Sequence, residues 1–374
     1  MKILVLSPRS INHSRAGGAE IYLNELLTRV NNHEIIVLSS SDRRIYVQPK
    51  SYLEIIVAKN EFLFPLFSLQ YLSLIKQADI VIESISKFPL IFSLIVSRII
   101  KKPFIGIIYH IHGESLFKEL PFIVAFILAV YEKLALKFYA ILGAPMITIS
   151  KSTQQELENI GFSPEKITVI PVGLNIQCQG TELSKSDIPL IVYIGRIKKY
   201  KRLDHLLKAF AIVKEMAPNA SCIIAGKADE KVLLQLEKLA KRLGIERNVS
   251  FKTDISEVQK RELLTKAWVY VIPSTKEGFG ISALEAQACG TPVVGYAIPG
   301  LVDCVENGVT GFLVRDGDYK ALAQAIKFLF LNKEIRLKMS KNAIARASNF
   351  KWEISAEKFL ITLNKWSALY QQKI

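Results

Sequence analysis

The stretch PLIVYIGRIKKYKRLDHLLKAF, residues 189–210, joins a short apolar run to an amphipathic run through a glycine and a basic turn. The apolar run is typical of a strand buried on both faces, and the spacing of apolar residues from Leu203 onward predicts a helix that ends near Met216. A strand followed by a helix is the repeating unit of a parallel sheet. The stretch therefore predicts an α/β fold.

The same unit recurs along both halves of the chain. In the first half the pattern predicts strands near 2–7, 34–40, 79–84, 103–109, 146–150 and 167–171, and helices over 19–30, 88–100 and 116–142. In the second half it predicts strands near 189–195, 220–226, 248–252, 267–273, 291–296 and 311–314, and helices over 203–216, 231–243 and 281–289. We expect two doubly wound, Rossmann-like domains that face a central cleft.

Domain boundaries follow from a polar, Gly- and Ser-rich interval with no apolar period. We predict a first domain over 1–172, a linker over 173–188 and a second domain over 189–350. The last residues, 351–374, are predicted to form a helix that packs back on the first domain.

The charge of the chain is +15 and is concentrated in its second half. Residues 1–175 carry 18 Lys and Arg against 14 Asp and Glu, which leaves 31 against 20 for the remainder. This excess suits an anionic partner, namely a nucleic acid, a membrane surface or a phosphorylated small molecule. Nucleic acid is disfavoured because the sequence has no zinc finger, RNP-type aromatic motif or array of basic helices.

Cysteine spacing and hydropathy bear on location. The cysteines at 178, 222, 289 and 304 form no CxxC pair, so neither a disulfide framework nor a zinc site is indicated. The apolar runs fall short of the roughly 18 residues that span a bilayer. We predict a cytoplasmic protein that can sit at the inner face of the membrane, since apolar helices near 62–75 and 116–142 accompany the basic segment 96–102.

Two segments of the second half predict a phosphate site. Gly195 ends a strand, and Arg196 and Lys201 follow it before a helix begins, where backbone amides and the helix dipole favour anions. In EGFGISALEAQACGTPVV, residues 277–294, Gly278 and Gly280 leave amides open around Phe279 ahead of a helix that starts at Ile281.

Two carboxylates flank that glycine turn. Glu277 precedes it, and Glu285 lies in the helix that follows, where it could accept hydrogen bonds from ribose hydroxyls. A carboxylate near a helix start also complements the helix dipole, which would explain Glu285 alone. The dipole does not explain two acids combined with the glycines.

The first half offers a weaker set of site residues. Gly17 and Gly18 lie between the first strand and the first helix, where a plain tight turn is the other explanation. His110 and His112 end a strand before Gly113. Metal binding is disfavoured because no further ligand has suitable spacing, so we expect a structural role for His110 and substrate contact for His112.

Taken together, GGAE, HG, GRIKKYKRLDHLLKAF, EGFGISALEAQACGTPVV and NGVTGFLV resemble the group 1 (family 4) nucleotide-sugar glycosyltransferases, over essentially the whole chain. The resemblance implies the two-domain GT-B fold and a retaining transfer of a hexose, without a cofactor or a tightly bound metal. It implies that Arg196 and Lys201 bind the donor diphosphate, with Gly195 at the turn, and that Glu277 contacts the transferred sugar.

The resemblance also assigns the other site residues. It implies that the amides of Gly278, Phe279, Gly280 and Ile281 meet sugar and phosphate, and that Glu285 holds the ribose. Gly17 and Gly18 would close over the donor phosphates, and His112 would face the reacting sugar. His112, Glu277, Arg196 and Lys201 are the predicted catalytic set. The family pattern differs here at Leu174, Thr253 and Asp303.

The predicted partners are a nucleotide-sugar donor and a glycan or lipid-linked acceptor, with peripheral contact to an anionic membrane and no nucleic acid. Two other functions remain open at this point. One is a nucleotide-sugar epimerase of the same fold, which would isomerise the donor without an acceptor. The other is a nucleotide-sugar binding protein without turnover.

Overall fold

A computed structural model describes residues 1–30, 32–43, 47–176, 178 and 185–372. It divides into two compact units, Met1–Gly173 with Lys351–Ile374 and Leu174–Phe350. Much of the predicted linker, residues 177 and 179–184, lies outside the described residues.

The described strands form two wholly parallel sheets. The strands of the first unit are β1 Lys2–Leu6, β2 Glu34–Ser40, β3 Leu53–Ala58, β4 Ile80–Ile85, β5 Phe104–Ile108, β6 Met146–Thr148 and β7 Ile167–Val169, in the order β3-β2-β1-β4-β5-β6-β7. Those of the second unit are β8 Leu190–Ile194, β9 Ser221–Ala225, β10 Val249–Lys252, β11 Val269–Ile272, β12 Val293–Tyr296 and β13 Gly311–Val314, in the order β10-β9-β8-β11-β12-β13.

Helices separate these strands along the chain. They are α1 Gly18–Thr28, α2 Phe64–Ser68, α3 Leu72–Gln77, α4 Ile91–Ile99, α5 Leu116–Glu119, α6 Phe122–Ile141, α7 Lys151–Ile160, α8 Leu203–Met216, α9 Glu230–Arg242, α10 Glu257–Lys266, α11 Ile281–Ala288, α12 Leu301–Cys304, α13 Tyr319–Leu331, α14 Lys333–Ala347 and α15 Trp352–Gln371. The predicted α/β class with two doubly wound sheets is confirmed. No helix among the described residues is both long and apolar enough to cross a membrane.

Each sheet has a point where its strand order reverses. In the first sheet β1 lies between β2 and β4, with Val5 beside Val37 and Ile82. In the second sheet β8 lies between β9 and β11, with Ile191 beside Cys222 and Val269. In parallel sheets, ligands bind beyond the carboxyl ends of the strands at such a reversal. A ligand site is therefore expected at the carboxyl ends of β8 and β11 in the second unit.

The C-terminal helix α15 belongs to the first unit. Phe359 and Leu363 are fully buried, and the Trp352 ring lies 5.8 Å from that of Tyr22 in α1. The Ser355 hydroxyl donates to the Pro171 carbonyl at 2.7 Å. The chain thus returns to its first sheet after completing the second.

Two features correct the sequence analysis. The predicted helix over 116–142 is split into α5 and α6, because Pro121 has no backbone N–H and caps the start of α6. Cys178 and Cys289 form a disulfide with a Cα–Cα distance of 5.1 Å, so the expectation of no disulfide was wrong. The two cysteines are 111 residues apart, and a pair that distant has no recognisable spacing.

Candidate functional site

Two loops meet at the carboxyl ends of β8 and β11 in the second unit. Gly195 and Arg196 follow β8, and a short 3-10 turn, Lys199–Lys201, comes before α8. The backbone N–H of Thr275, beyond β11, donates to the carbonyl of Tyr200 at 3.0 Å. This bond fixes the basic turn against the segment that leads to Glu277.

Lys201 and Glu277 form a buried ion pair across these loops. The Lys201 ammonium lies 2.6 Å from Glu277 Oε1, and both side chains are largely shielded from solvent. Burial alone would lower the pKa of Lys201, but the charge of Glu277 and the hydrogen bond to it outweigh burial and raise that pKa. Lys201 therefore stays cationic at neutral pH.

Arg196 lies close to this pair. Its guanidinium is 3.5 Å from the Tyr200 hydroxyl, and its carbonyl accepts a hydrogen bond from Tyr193 at 3.1 Å. Its positive charge also opposes the protonation of Lys201. Arg196 and Lys201, the predicted phosphate ligands, and Glu277, the predicted sugar ligand, thus lie together at the carboxyl ends of β8 and β11.

The glycine turn depends on backbone conformations that other residues adopt poorly. Gly280, at φ +88°, caps the start of α11, whose first residue is Ile281. Gly300, at φ +82°, packs so tightly that a Cβ there would lie 2.3 Å from the Glu277 carbonyl. The Phe279 ring is buried, and its centroid lies 5.4 Å from that of the Phe350 ring. Only the backbone of Phe279 can therefore face a ligand.

Glu285 pairs with a cation that the sequence analysis missed. Lys260 in α10 places its ammonium 2.6 Å from Glu285 Oε1. Burial raises the pKa of Glu285, and the Lys260 charge works against that rise. The negative charges of Glu277 and Glu285 both add to the rise that burial causes in the pKa of Tyr270, so both acids lie near this residue of β11. No spacing rule links residue 260 to residue 285.

The first unit has its own pocket at the carboxyl ends of β1, β4 and β5. Arg9, Glu20, Lys87, Phe88, Tyr109 and His112 are among its lining residues. His110 also lines it, and the two histidine rings lie 4.5 Å apart. His112, the residue predicted to contact substrate, therefore lines a cavity.

Glu132 from α6 holds the His112 loop. Its carboxylate accepts the backbone N–H of Gly113 at 2.9 Å and lies 2.8 Å from His112 Nδ1. Burial would raise the pKa of Glu132, but the bonds and charge of His112 outweigh it and lower that pKa. The sequence analysis missed Glu132, although a single acid within an apolar helix was the available signal.

Gly17 caps the start of α1 and Gly18 is its first residue, one position before the predicted start of the helix. The Gly17 N–H donates to Glu20 Oε2 at 2.7 Å, and Glu20 also pairs with Arg9 at 2.9 Å. The first turn of α1 thus binds a carboxylate of the chain itself. The contact of Gly17 and Gly18 with a donor phosphate stays a prediction.

Comparison with known proteins identifies the class. The fold is the GT-B fold, and two family models match, "Glycosyltransferase Family 4" over residues 16–177 and "Glycosyl transferases group 1" over 179–346. The chain belongs to the group 1 glycosyltransferase family.

Individual proteins agree with this assignment. The D-inositol 3-phosphate glycosyltransferase of Streptomyces scabiei is 31% identical over an alignment of 210 residues that covers 52% of this chain and 47% of that protein. The chain thus spans about half the length of the curated relatives it matches.

Two solved structures share the fold across nearly the whole chain. Anabaena HepE in complex with UDP and glucose has a TM-score of 0.76 at 21% identity, covering 98% of this chain and 100% of that one. Sucrose-phosphate synthase from Thermosynechococcus elongatus has a TM-score of 0.78 at 20% identity, covering 99% and 100%.

Proposed function

We propose that the protein transfers a hexose from a nucleoside-diphosphate sugar to a glycan or lipid-linked acceptor, with retention of anomeric configuration. The observation that carries the proposal is the buried Lys201–Glu277 pair, which lies beside Arg196 and before the amides of the glycine turn. Binding of UDP and glucose by Anabaena HepE supports a donor of this class.

In this proposal the donor binds at the carboxyl ends of β8 and β11 in the second sheet. Arg196 and Lys201 bind the diphosphate, with the amides of Gly278, Gly280 and Ile281 at the start of α11. Glu277 hydrogen-bonds the hexose, and Glu285, which pairs with Lys260, accepts the ribose hydroxyls. Gly17 and Gly18 are further proposed donor contacts.

The chemistry requires stabilisation of the leaving group. As the bond from the sugar C1 to the diphosphate oxygen breaks, negative charge grows on the β-phosphate. Arg196 and Lys201 supply the compensating positive charge, so the proposal needs no tightly bound metal and no cofactor. The acceptor hydroxyl oxygen forms the new bond to C1 on the same face, and its proton leaves with the nucleoside diphosphate.

The acceptor is assigned to the pocket of the first unit. His112 lines that pocket, and Glu132 holds its imidazole and its backbone N–H. A hydroxyl bound there would lie beside an imidazole whose position is fixed by Glu132. We propose peripheral contact to an anionic membrane, in keeping with the basic charge of the chain.

The test is sugar transfer, or slow donor hydrolysis, by Lys201→Ala and Glu277→Ala. We expect each rate to fall about 100-fold or more, because a transition-state charge loses its partner. Lys199→Ala is the matched control, since Lys199 is exposed on the same turn. Unchanged rates in both site variants would reject the proposal, a product of inverted configuration would reject retention, and isomerised donor would indicate an epimerase.

A further inference from the structure

Helix α6 presents large apolar side chains to solvent along most of its length. Its inward side carries Ala125, Leu128, Ala135 and Leu136. Its exposed side chains include Phe122, Ile123, Val124, Phe126, Ile127, Val130, Leu134 and Ile141, of which Ile123 is 72% and Ile127 60% exposed. A helix that only covers its own sheet turns its apolar side inward. The outer side of α6 is therefore built to contact something else.

Neighbouring segments extend this surface within the first unit. The Phe117 ring of α5 lies 5.4 Å from that of Phe122. Phe62 lies 5.6 Å from Phe88, which packs on the cluster of Leu116, Ala125 and Leu128 beneath α6. We call the exposed side of α6 together with Phe117, Phe62, Leu63 and Leu66 the apolar face. Contiguous exposed apolar surfaces of this kind mark protein or membrane contacts.

The charges around the apolar face are basic. Residues 85–142 contain seven Lys and Arg against three acids, and one of those acids, Glu132, is buried against His112. Lys133 and Lys137 are exposed on α6 itself. Arg98 at the end of α4 donates to the Leu142 carbonyl, which brings a further cation to the end of α6.

This charge selects among occupants of the face. A second copy docked through the same face would bring a second basic surface against the first, and the like charges would oppose the pairing. The surface of an anionic bilayer accepts both the apolar side chains and the surrounding cations. An anionic lipid surface is therefore the occupant that the residues favour.

The pocket of the first unit opens beside the apolar face. Phe88 lines the pocket and also packs against the cluster beneath α6. Glu132 also links the pocket to the apolar face, because it lies on α6 and accepts hydrogen bonds from the backbone of His112 and Gly113. A molecule in the pocket would thus be adjacent to whatever covers the face.

We propose that the apolar face lies in the surface of an anionic bilayer and holds the mouth of the pocket, at Phe88, at the level of the lipid head groups. The acceptor is then a lipid-linked molecule whose polar head enters the pocket. The assignment of the pocket to the acceptor rests on the proposed function, whereas the docking of the face does not.

Flotation with vesicles tests the docking. The full chain is mixed with vesicles of phosphatidylcholine alone or of equal parts phosphatidylcholine and phosphatidylglycerol. We expect flotation with the anionic vesicles only, and a loss of more than about tenfold in affinity for Ile123→Ser with Ile127→Ser, since each side chain loses its burial in lipid. The control pair is Leu331→Ser with Ile361→Ser, 70% and 60% exposed in the parent chain.

A polarity-sensitive dye tests the place of the pocket. We expect dyes on Ile127→Cys and Phe88→Cys to shift to the blue when anionic vesicles are added, and a dye on Leu331→Cys to be unchanged. A shift at position 127 without one at position 88 would overturn the proposal for the pocket. Equal flotation of the Ser pair and its parent, or a parent dimer that the Ser pair abolishes, would overturn the docking.

Donor hydrolysis separates this proposal from the proposed function. The Ile123→Ser, Ile127→Ser chain keeps every group assigned to the donor, so it should hydrolyse the donor at the parent rate in solution. A parent chain that hydrolyses the donor but does not float with anionic vesicles would reject the docking and leave the proposed sugar transfer standing. Flotation without hydrolysis in either chain would support the docking and reject the proposed function.

Discussion

The Lys201 ammonium lies 2.6 Å from the carboxylate of Glu277, although the two residues are 76 positions apart in the chain. Each side chain comes from a loop that follows a neighbouring strand, β8 or β11. The pair is therefore a product of the strand order, and each charge is buried in the presence of the other.

A double-mutant cycle measures how strongly these two charges depend on each other. Lys201→Met and Glu277→Gln should each lower the free energy of unfolding, by up to about 3–5 kcal/mol, because each leaves one buried charge unpaired. The double variant should be less destabilised than the sum of the two. Additive losses in urea unfolding would show that the pair contributes no coupling.

Lys260 is expected to affect donor binding and not turnover. Lys260→Met leaves the buried Glu285 without its cation, so its pKa should rise further and it should accept ribose hydrogen bonds less well. We predict an increase in donor KM of about tenfold, equivalent to about 1.4 kcal/mol, with kcat unchanged. Arg261→Met, at an exposed neighbour, is the control; a fall in kcat with constant KM would contradict this role.

Gly300 should be required for the glycine turn. A Cβ at Gly300 would lie 2.3 Å from the Glu277 carbonyl and 2.7 Å from that of Gly278, so Gly300→Ala must displace the turn. We expect donor affinity to fall by at least about tenfold. Gly308→Ala is matched, because Gly308 also has a positive φ, +77°, but nothing lies within 4 Å of its Cβ position. Equal affinity in both variants would show that the turn does not contact the donor.

Lys185 should give the stability of the second unit a distinctive pH dependence. Burial, aided by the charge of Arg336, lowers the pKa of Lys185 to about 7. An unfolded lysine keeps its proton to about pH 10.4, so between these values the folded chain binds fewer protons and its stability should rise with pH.

Thermal unfolding of Lys185→Met checks this sign. The contribution of Lys185 should appear as a midpoint difference between the parent and the variant that moves in favour of the parent from about pH 6 to about pH 9. Lys199→Met, at an exposed lysine, should show no such change. A difference that is constant with pH would mean that Lys185 has an ordinary pKa in the folded chain.

The periodic parts of the chain were predictable from sequence. The helix α8, Leu203–Met216, has the predicted bounds, because its apolar spacing is regular and a glycine and basic turn precede it. Between β2 and β4 the sequence predicted only an apolar helix near 62–75, and it did not predict β3. There β3 is followed by the short helices α2 and α3, whose apolar side chains are partly exposed and so lack a clean period.

The site was predictable where it follows a local motif. Lys201, Glu277 and Glu285 lie in segments whose residue types alone indicate phosphate and sugar binding. Their partners were not predictable in the same way, since Lys260 reaches Glu285 through tertiary packing of α10 against α11. Glu132 reaches His112 across 20 residues, and only the fold of α6 over the strand end brings them together.

Donor binding tests the central claim most directly. Calorimetric titration with UDP-, GDP- and ADP-glucose should identify at least one donor that the parent chain binds, and Lys201→Met should lose about 100-fold in affinity for it while Lys199→Met keeps the parent value. If Lys201→Met bound that donor as tightly as the parent chain does, the ion pair at the ends of β8 and β11 would not be the donor site.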